Sequence, residues 1–590
     1  MHISSTVTRL FDFPYYQLEN YPQQNCLVSK EKNEWESIST QEYINKANTI
    51  SKALLNLGVK PEDKIAIITS VNQPKWHLLD IGIMQIGAIN VPLYPTFSEK
   101  DYAYILDHSD SIYCFVSDDE LYQKVVKIKD QTQLKKVFTF EELDTDYSWN
   151  SFLNLGNDET LQLSVDNLKD TIKPSDLATI IYTSGTTGIP KGVMLSHHNI
   201  VSNVFAVGKR VNLQDNQKKV ISYLPICHIF ERAASYYSQY MGFEIHFAES
   251  IDKVGENLRE IQPHFMAVVP RLLEKVFDKI VDKGSDLSGI KKRLFFWALE
   301  LGEEYQPYKA NGWKYEFQLS IARKLIFSKW KEALGGQLEF MLAGSAPTQA
   351  RLIRVFTAAG IPVFEGYGLT ETSPAISVND IRNNGFKIGT LGKVIEKATV
   401  KIAEDGEILV KGPNVMLGYY KAPEETKEVM VNDFFHTGDI GELDEEGFLK
   451  ITDRKKEIFK TSGGKYIAPA ILEGELKKSR FIEQVMVIGE GEKMPAALIQ
   501  IAFDFVQEWA KRHQHIITDI TTDEKLINRI QKEIDFYNQK FGKWEQIKRF
   551  EITPDEWTID EGHLTPTLKM RRKIILEKYN NLRKKIYNPQ

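Results

Sequence analysis

Apolar positions along this chain switch repeatedly between helical and strand spacing. From Ser39 to Gly58, Tyr43, Ala47, Ile50, Ala53, Leu54 and Leu57 fall on one helical face. Ser39 and Glu42 are spaced for a capping box, and Gly58 is a stop signal. Lys64 to Thr69 then reads as a strand, 74–87 as a helix, and Ala88 to Leu93 as a strand ended by Pro95. The strand pattern returns at Ile112–Val116 and Val137–Phe140. Strands alternating with helices predict an α/β fold, a parallel sheet with helices on its faces. The stretch Leu143–Thr171 is polar and without period, which predicts an irregular surface connection. Leu177–Ile181 predicts a buried strand, His197 opens another helix, an apolar strand ends at Leu224-Pro225, and Glu339–Pro347 runs from a strand into a turn of small residues. The charged turn Asp453-Arg454-Lys455-Lys456 and the Gly-rich loop after it read as a linker or hinge. Beyond them the chain is more basic and more helical.

Size and charge narrow the classes. A chain of 590 residues is too long for one core, so two or more domains are expected. A net charge of −6 gives no general attraction to nucleic acid. The three cysteines, Cys26, Cys114 and Cys227, are far apart and form no CxxC, which argues against a disulfide framework or structural zinc and fits a reducing, cytoplasmic compartment. The N-terminus lacks the charged and apolar regions of a signal peptide, and no run of eighteen apolar residues predicts a membrane span. The segment 271–333 is helical in pattern and mixes Lys and Arg with many aromatics. It predicts a helical subdomain that buries its own rings, with contact to a membrane surface or a long apolar substrate as the competing reading.

Several stretches carry candidate chemistry. Tyr182 to Gly192 reads Tyr-Thr-Ser-Gly-Thr-Thr-Gly-Ile-Pro-Lys-Gly directly after a strand. Glycines let backbone N–H groups approach a ligand, the hydroxyls add donors, and Lys191 adds a cation, so the loop suits a polyphosphate. It is not a Walker A loop, because no Gly-Lys-Ser/Thr follows at the required spacing. His228 follows the strand that ends at Leu224-Pro225, at an edge where open α/β sheets bind ligands. In Phe364–Pro374, the Tyr367 ring offers a face for a purine, and Thr370 with Glu371 offers the hard oxygen ligands that Mg²⁺ prefers. Asp439, on a turn, suits two ribose hydroxyls.

Taken together these pieces resemble the adenylate-forming superfamily of acyl-CoA synthetases, firefly luciferase and peptide-synthetase adenylation domains. The matching stretches are the 182–192 loop, Gly344-Ser345-Ala346-Pro347, Tyr367-Gly368-Leu369-Thr370-Glu371, Thr437-Gly438-Asp439, Asp453-Arg454-Lys455-Lys456 and Thr567-Leu568-Lys569. Within it the chain is most similar to long-chain fatty-acid–CoA ligases, through Val91–Thr96, Leu224-Pro225 with His228–Arg232, Val269-Pro270-Arg271 and Leu564–Lys569. The resemblance implies a large multi-sheet N-terminal domain, residues 1–454, and a small mobile α+β C-terminal domain, 455–590. It implies ATP, Mg²⁺ and CoA, with a fatty acid as the carboxylate; a free-standing acyl–carrier-protein ligase or an adenylation enzyme for another carboxylate is the alternative.

The resemblance also distributes roles. Thr183, Ser184, Gly185, Thr186, Thr187, Gly188 and Lys191 would hold phosphates. Gly344, Ser345, Ala346, Glu365, Gly366, Tyr367, Gly368, Thr370, Asp439 and Arg454 would line the nucleotide site. Glu371, with Thr370, would hold the metal. Lys455 and Lys456 would form the hinge, and Ser462, Gly463 and Gly464 would border the CoA path. His228 would border the acyl pocket or thiol path, and Lys569 would be the catalytic lysine, with Lys573 the fallback. One departure stands out: the lysine usually follows a glycine in the wider family, and here Leu568 precedes it.

Overall fold

The computed structural model describes residues 7–142, 147–184 (Ser184 by its backbone alone), 189–211, 218–380, 384–559, 561–565 and 568–588. The chain divides into two compact units, one comprising Met1–Val400, Val410–His436 and Asp444–Leu449, the other Lys401–Leu409, Thr437–Leu443 and Lys450–Gln590.

The larger unit is built on two sheets. In the nine-stranded sheet the strands run, edge to edge, Lys393–Val394, Ala375–Val378, Val363–Gly368, Phe340–Ala343, Phe265–Val268, Lys219–Ser222, Glu244–Phe247, Leu27–Glu31 and Glu34–Ile38. The six from Val363–Gly368 to Leu27–Glu31 are parallel to one another. The seven-stranded sheet runs Gly418–Tyr419, Pro190–Ser196, Leu177–Ser184, Ile89–Leu93, Lys64–Ile68, Ser111–Val116 and Lys136–Thr139, parallel from Leu177–Ser184 onward. Its inner strands are mainly apolar, as helices on both faces require; Ile65, Ala66, Ile67 and Ile68 are all fully buried. The amphipathic helix Thr40–Asn56 forms as its pattern predicts, with the Ser39–Glu42 capping box made and Gly58 at φ +80°.

The stretch Leu143–Thr171 departs from expectation. Residues 143–146 lie outside the described set, but Trp149–Asn154 and Gln162–Thr171 are helices. Each buries only one or two apolar residues: Trp149 and Phe152 in the first, Val165 in the second. Two apolar residues define no period, so the helices are invisible to pattern. The Phe152 ring packs 4.8 Å from Phe115, on the seven-stranded sheet.

A buried charge ties the larger unit's two sheets. The helix Ile229–Tyr240 follows a strand of the nine-stranded sheet and carries Arg232, whose guanidinium pairs with Asp80 at 2.6 Å and donates to Thr179 Oγ1 at 2.7 Å. Thr179 belongs to the seven-stranded sheet, and Asn90 of the same sheet donates to Asp80. Both charged groups are buried, so each depends on the other for its neutralisation.

In the smaller unit, strands Ile482–Ile488, Ala496–Ile501 and Phe550–Ile552 form a sheet whose side chains alternate between two faces from Val485 to Ile488 and from Ala496 to Ile499, with an irregularity near Ile482. Val485, Val487, Ala497 and Ile499 face a core with Leu472, Leu476, Leu526, Ile530 and Ile534 from helices. Met486, Ile488, Ala496 and Leu498 face a second core with Ile575 and Ile586 from the last two helices. The unit is therefore α+β, with helices on both faces of a short sheet.

Candidate active site

Four of the stretches singled out above leave the same edge of the nine-stranded sheet. Val363–Gly368, Phe340–Ala343, Phe265–Val268 and Lys219–Ser222 are neighbouring parallel strands. Their C-terminal ends lead into Leu369–Glu371, Gly344–Thr348, Val269–Arg271 and Tyr223–His228. That is the edge at which open α/β sheets collect ligand-binding loops.

Close packing explains two glycines there. A Cβ on Gly344 would come 3.1 Å from the Phe230 ring, so this turn presses against the one carrying His228. A Cβ on Gly368 would sit 1.8 Å from the Pro374 carbonyl oxygen, and glycine alone fits. Ser345 takes φ +69° and is half-buried, and Ala346 is exposed. Glu365 is buried, accepts from the Thr348 N–H at 2.9 Å, and so holds the 344–348 turn to the next strand. Burial pushes its carboxyl up to about 7. Gly366 and Tyr367 pair with Val378 and Ser377, with a bulge between Tyr367 and Gly368; the Tyr367 side chain is buried. His228 caps the helix Ile229–Tyr240, its Nδ1 accepting from the Phe230 N–H at 3.1 Å.

The phosphate-loop candidate is narrower than its sequence reads. The strand Leu177–Ser184 continues into it and Pro190–Ser196 returns antiparallel, pairing Thr183 with Lys191 and Ser184 with Pro190. Lys191 is thus a strand residue. Gly185, Thr186, Thr187 and Gly188, and the Ser184 side chain, lie outside the described residues. Lys191 holds its ammonium 5.2 Å from the centre of the Tyr419 ring, and the Tyr419 hydroxyl donates to Glu371 Oε1 at 2.9 Å. Burial, then the nearby Glu371, pushes the Tyr419 phenol up. A short strand, Gly418–Tyr419, fixes this ring by pairing with Pro190–Ser196. Tyr419 thus bridges the lysine and the carboxylate. The sequence reading missed it; its signal was Leu417-Gly418-Tyr419-Tyr420, an aromatic pair beside a glycine with no other assigned task.

Glu371 is half-buried in a single turn, Thr370–Thr372, with the Thr370 hydroxyl beside it in sequence. Among the described residues no group of three or more His, Cys, Asp or Glu could hold a metal. One carboxylate beside hydroxyls fits Mg²⁺, which completes its shell with phosphate oxygens and water; it does not fit structural zinc.

In the smaller unit Asp439 is buried, and Arg454 Nε contacts its Oδ1 at 3.1 Å. Glu407 accepts from the Gly438 N–H at 2.9 Å and from Lys455 Nζ at 2.9 Å, and Asp405 contacts the same ammonium at 2.6 Å. Glu407 is a second residue missed from sequence, and nothing in its local pattern marked it. Asp453 is buried, and burial raises its carboxyl to about 6. Lys456 is exposed, as are Ser462, Gly463 and Gly464 in the turn between the short strands Phe459–Lys460 and Tyr466–Ile467.

Lys569 is exposed on a tight loop. Leu564 bridges Met570, Thr565 N–H donates to the Lys569 carbonyl at 2.8 Å, and Thr565 Oγ1 accepts from Lys569 N–H at 3.0 Å. Leu568 occupies φ +59°, the left-handed region that favours glycine, which accounts for glycine at this position in the wider family. Three residues on, Arg572 is held by Glu473 at 2.5 Å and Glu457 at 3.1 Å. Lys573 is exposed.

Comparison with known proteins gives the family and the fold. The family model for AMP-binding enzymes matches residues 15–420, and that for the AMP-binding enzyme C-terminal domain matches 456–590. The chain is 32% identical to long-chain-fatty-acid–CoA ligase FadD15 of Mycobacterium bovis, over 94% of this chain and 93% of that protein. It is 33% identical to long-chain-fatty-acid–CoA ligase 5 of Rattus norvegicus, over 95% and 86%. Its fold is that of the adenylation domain of a Mycobacterium chelonae carboxylate reductase (TM-score 0.74, 20% identity, 98% and 91% covered). It is also that of an anthranilate CoA ligase, AuaEII (TM-score 0.71, 18% identity, 98% of each chain). The chain belongs to the AMP-binding enzyme family.

Proposed function

We propose that this chain is an ATP-dependent ligase that activates a long-chain fatty acid as its acyl-adenylate and transfers the acyl group to CoA, releasing AMP and pyrophosphate. The observation that carries the reading is the near full-length similarity to ligases of that name, in a chain whose sequence carries Lys191, Glu371, Asp439, Arg454 and Lys569.

In the first step a fatty-acid carboxylate oxygen attacks the α-phosphorus and pyrophosphate leaves. Two anions must meet, so fixed donors and cations have to absorb the repulsion and the charge that grows on the α-phosphate. Lys191 and the 183–188 loop hold the β- and γ-phosphates. Tyr419 keeps Lys191 and Glu371 at a fixed separation without neutralising either one. Mg²⁺ held by Glu371, with Thr370 beside it, adds positive charge at the phosphate oxygens when bound. Tyr367 packs on adenine, and Gly344–Ala346 with Glu365–Gly368 form the surrounding walls. Asp439 accepts from the ribose hydroxyls, with Arg454 orienting its carboxylate. Lys569 donates to the carboxylate and α-phosphate oxygens.

In the second step the CoA thiolate attacks the acyl carbonyl and AMP leaves. The small domain, 455–590, turns about Lys455-Lys456, withdraws Lys569 and brings up the Ser462–Gly464 turn beside the pantetheine path. His228 borders the acyl pocket.

Pyrophosphate release across carboxylates from acetate to C18, with and without CoA, tests this. Activity peaking at long chains, with CoA needed for turnover, is expected. A peak at short or aromatic acids overturns the substrate class, and release that CoA cannot sustain makes a carrier protein the acceptor.

A further inference from the structure

The loop that bears Lys569 is pinned at its base. Leu564 and Met570, which bridge each other, pack on the apolar core formed by Met486, Leu498 and Ile575. The Arg571 N–H donates to the His563 carbonyl at 2.8 Å and closes the neck of the loop. Apolar packing therefore holds the loop to the sheet of the smaller unit. It leaves unexplained the charged residue that follows, Arg572.

The Arg572 side chain is only 20% exposed, so its N–H groups need acceptors. Nη2 donates to Glu473 Oε1 at 2.5 Å, Nη1 to the Val487 carbonyl at 3.2 Å, and Nε to Glu457 Oε2 at 3.1 Å. The first two acceptors form one closed group, because Glu473 Oε1 also accepts from the Val487 N–H at 2.7 Å. Glu473 is buried on the helix Pro469–Leu476, and Val487 lies in the strand Ile482–Ile488. That arm belongs to the fold: without Arg572 a buried carboxylate would lose its counter-charge.

The Glu457 arm is different. Glu473 already neutralises the guanidinium, and the Glu457 side chain is 32% exposed, where water could take its place. Glu457 sits in the turn that follows Lys455-Lys456. Its N–H and that of Ile458 both return to the Arg454 carbonyl, at 2.9 and 3.1 Å. Nε thus ties that turn to a residue 115 positions along the chain, three beyond Lys569. A planar guanidinium holds two carboxylates in a fixed mutual orientation, which a lysine ammonium cannot do. We propose that Arg572 is a positioning residue for Lys569: through Glu457 it couples the lysine loop to the turn after Lys455-Lys456, so that the two move as one piece. The proposal rests on the reading of Lys569 as the lysine of the adenylation step.

The test measures both half-reactions in the native chain, Glu457→Ala, Lys569→Ala and the double variant. Glu457→Ala should lower kcat for pyrophosphate formation about tenfold, the loss of one hydrogen bond to a charged group. Its KM for ATP should not move, and thioester formation from supplied acyl-adenylate should persist. In the Lys569→Ala background the same change should cost nothing further, because no lysine remains to be placed. Arg572→Lys, which keeps a cation for Glu473 but loses the fork, should repeat the loss seen in Glu457→Ala. Glu473→Gln should lower the melting temperature, whereas Glu457→Ala should melt near the native chain. The proposal is overturned if Glu457→Ala forms pyrophosphate at the native rate, or if it loses as much with Lys569 absent as with it present. It is also overturned if Glu457→Ala melts as early as Glu473→Gln, which would make the pair structural only. Native adenylation in Lys569→Ala would reject the lysine assignment and the proposal with it, and that failure shows without any change at Glu457.

Discussion

Lys191 and Lys569, the two lysines of the proposed first step, sit in opposite surroundings. Lys191 lies within a strand of the seven-stranded sheet, half-buried, its ammonium over the Tyr419 ring. Lys569 is exposed at the tip of a loop whose neighbouring leucine holds a left-handed conformation. A group proposed to hold the β- and γ-phosphates until pyrophosphate leaves gains from a rigid bed. A group needed for one half-reaction only has to leave, and an exposed loop lets it do so without disrupting a core. On the proposed roles, binding and timing fall to different kinds of backbone.

Four experiments break or sharpen this contrast. The largest effect is expected at Lys569: Lys569→Ala should lower pyrophosphate formation by about 10³-fold, while thioester formation from supplied acyl-adenylate persists. If both half-reactions survive, the assignment of the mobile lysine fails. Next comes the energy stored in the rigid bed. Glu231 is buried, accepts from Ser222 Oγ at 2.6 Å, and burial lifts its carboxyl from 4.5 to about 8. The folded state thus favours the protonated form; this share of stability is full below 4.5 and disappears as pH rises through 8. In urea titrations the native chain should lose up to roughly 1.4 kcal/mol per pH unit across that window relative to Glu231→Gln, and parallel curves would refute it. A smaller effect is expected for Tyr419→Phe, which keeps the ring over Lys191 but removes the donor to Glu371. It should lower kcat/KM for ATP by about tenfold, with a shifted Mg²⁺ requirement; an unchanged Mg²⁺ dependence would dissociate Tyr419 from the metal site. The smallest is Leu568→Gly, which relieves the positive φ and should raise the smaller unit's melting free energy by up to about 1 kcal/mol.

Most of the architecture was legible because buried parallel strands and amphipathic helices write their periods into the chain. The 39–58 helix and the strands at 64–69, 88–93 and 112–116 came out within a residue or two. The short helices within 149–171 did not, because Trp149, Phe152 and Val165 are too few to make a pattern. The insertion at 271–333 defeated a single reading for another reason: apolar residues on two faces of one helix look alike in sequence, and packing alone sorts the buried Phe327 from the exposed Leu325. At the site, glycine-rich and charged stretches were found, but Tyr419 and Glu407 were not. Each acts through a partner far along the chain, Glu371 in one case and Lys455 in the other, and such pairings exist only once the sheets have formed.

The Arg232–Asp80 pair has a consequence for the order of assembly. Its members come from segments about 150 residues apart in sequence, with Thr179 between them. A guanidinium cannot leave water until its carboxylate arrives, and the carboxylate is under the same constraint. Neither sheet can therefore seal its interior alone. The pair makes closure of the two halves a single late event, favouring a search in which half-built intermediates stay wet and reversible over one in which either sheet collapses early onto the wrong partner.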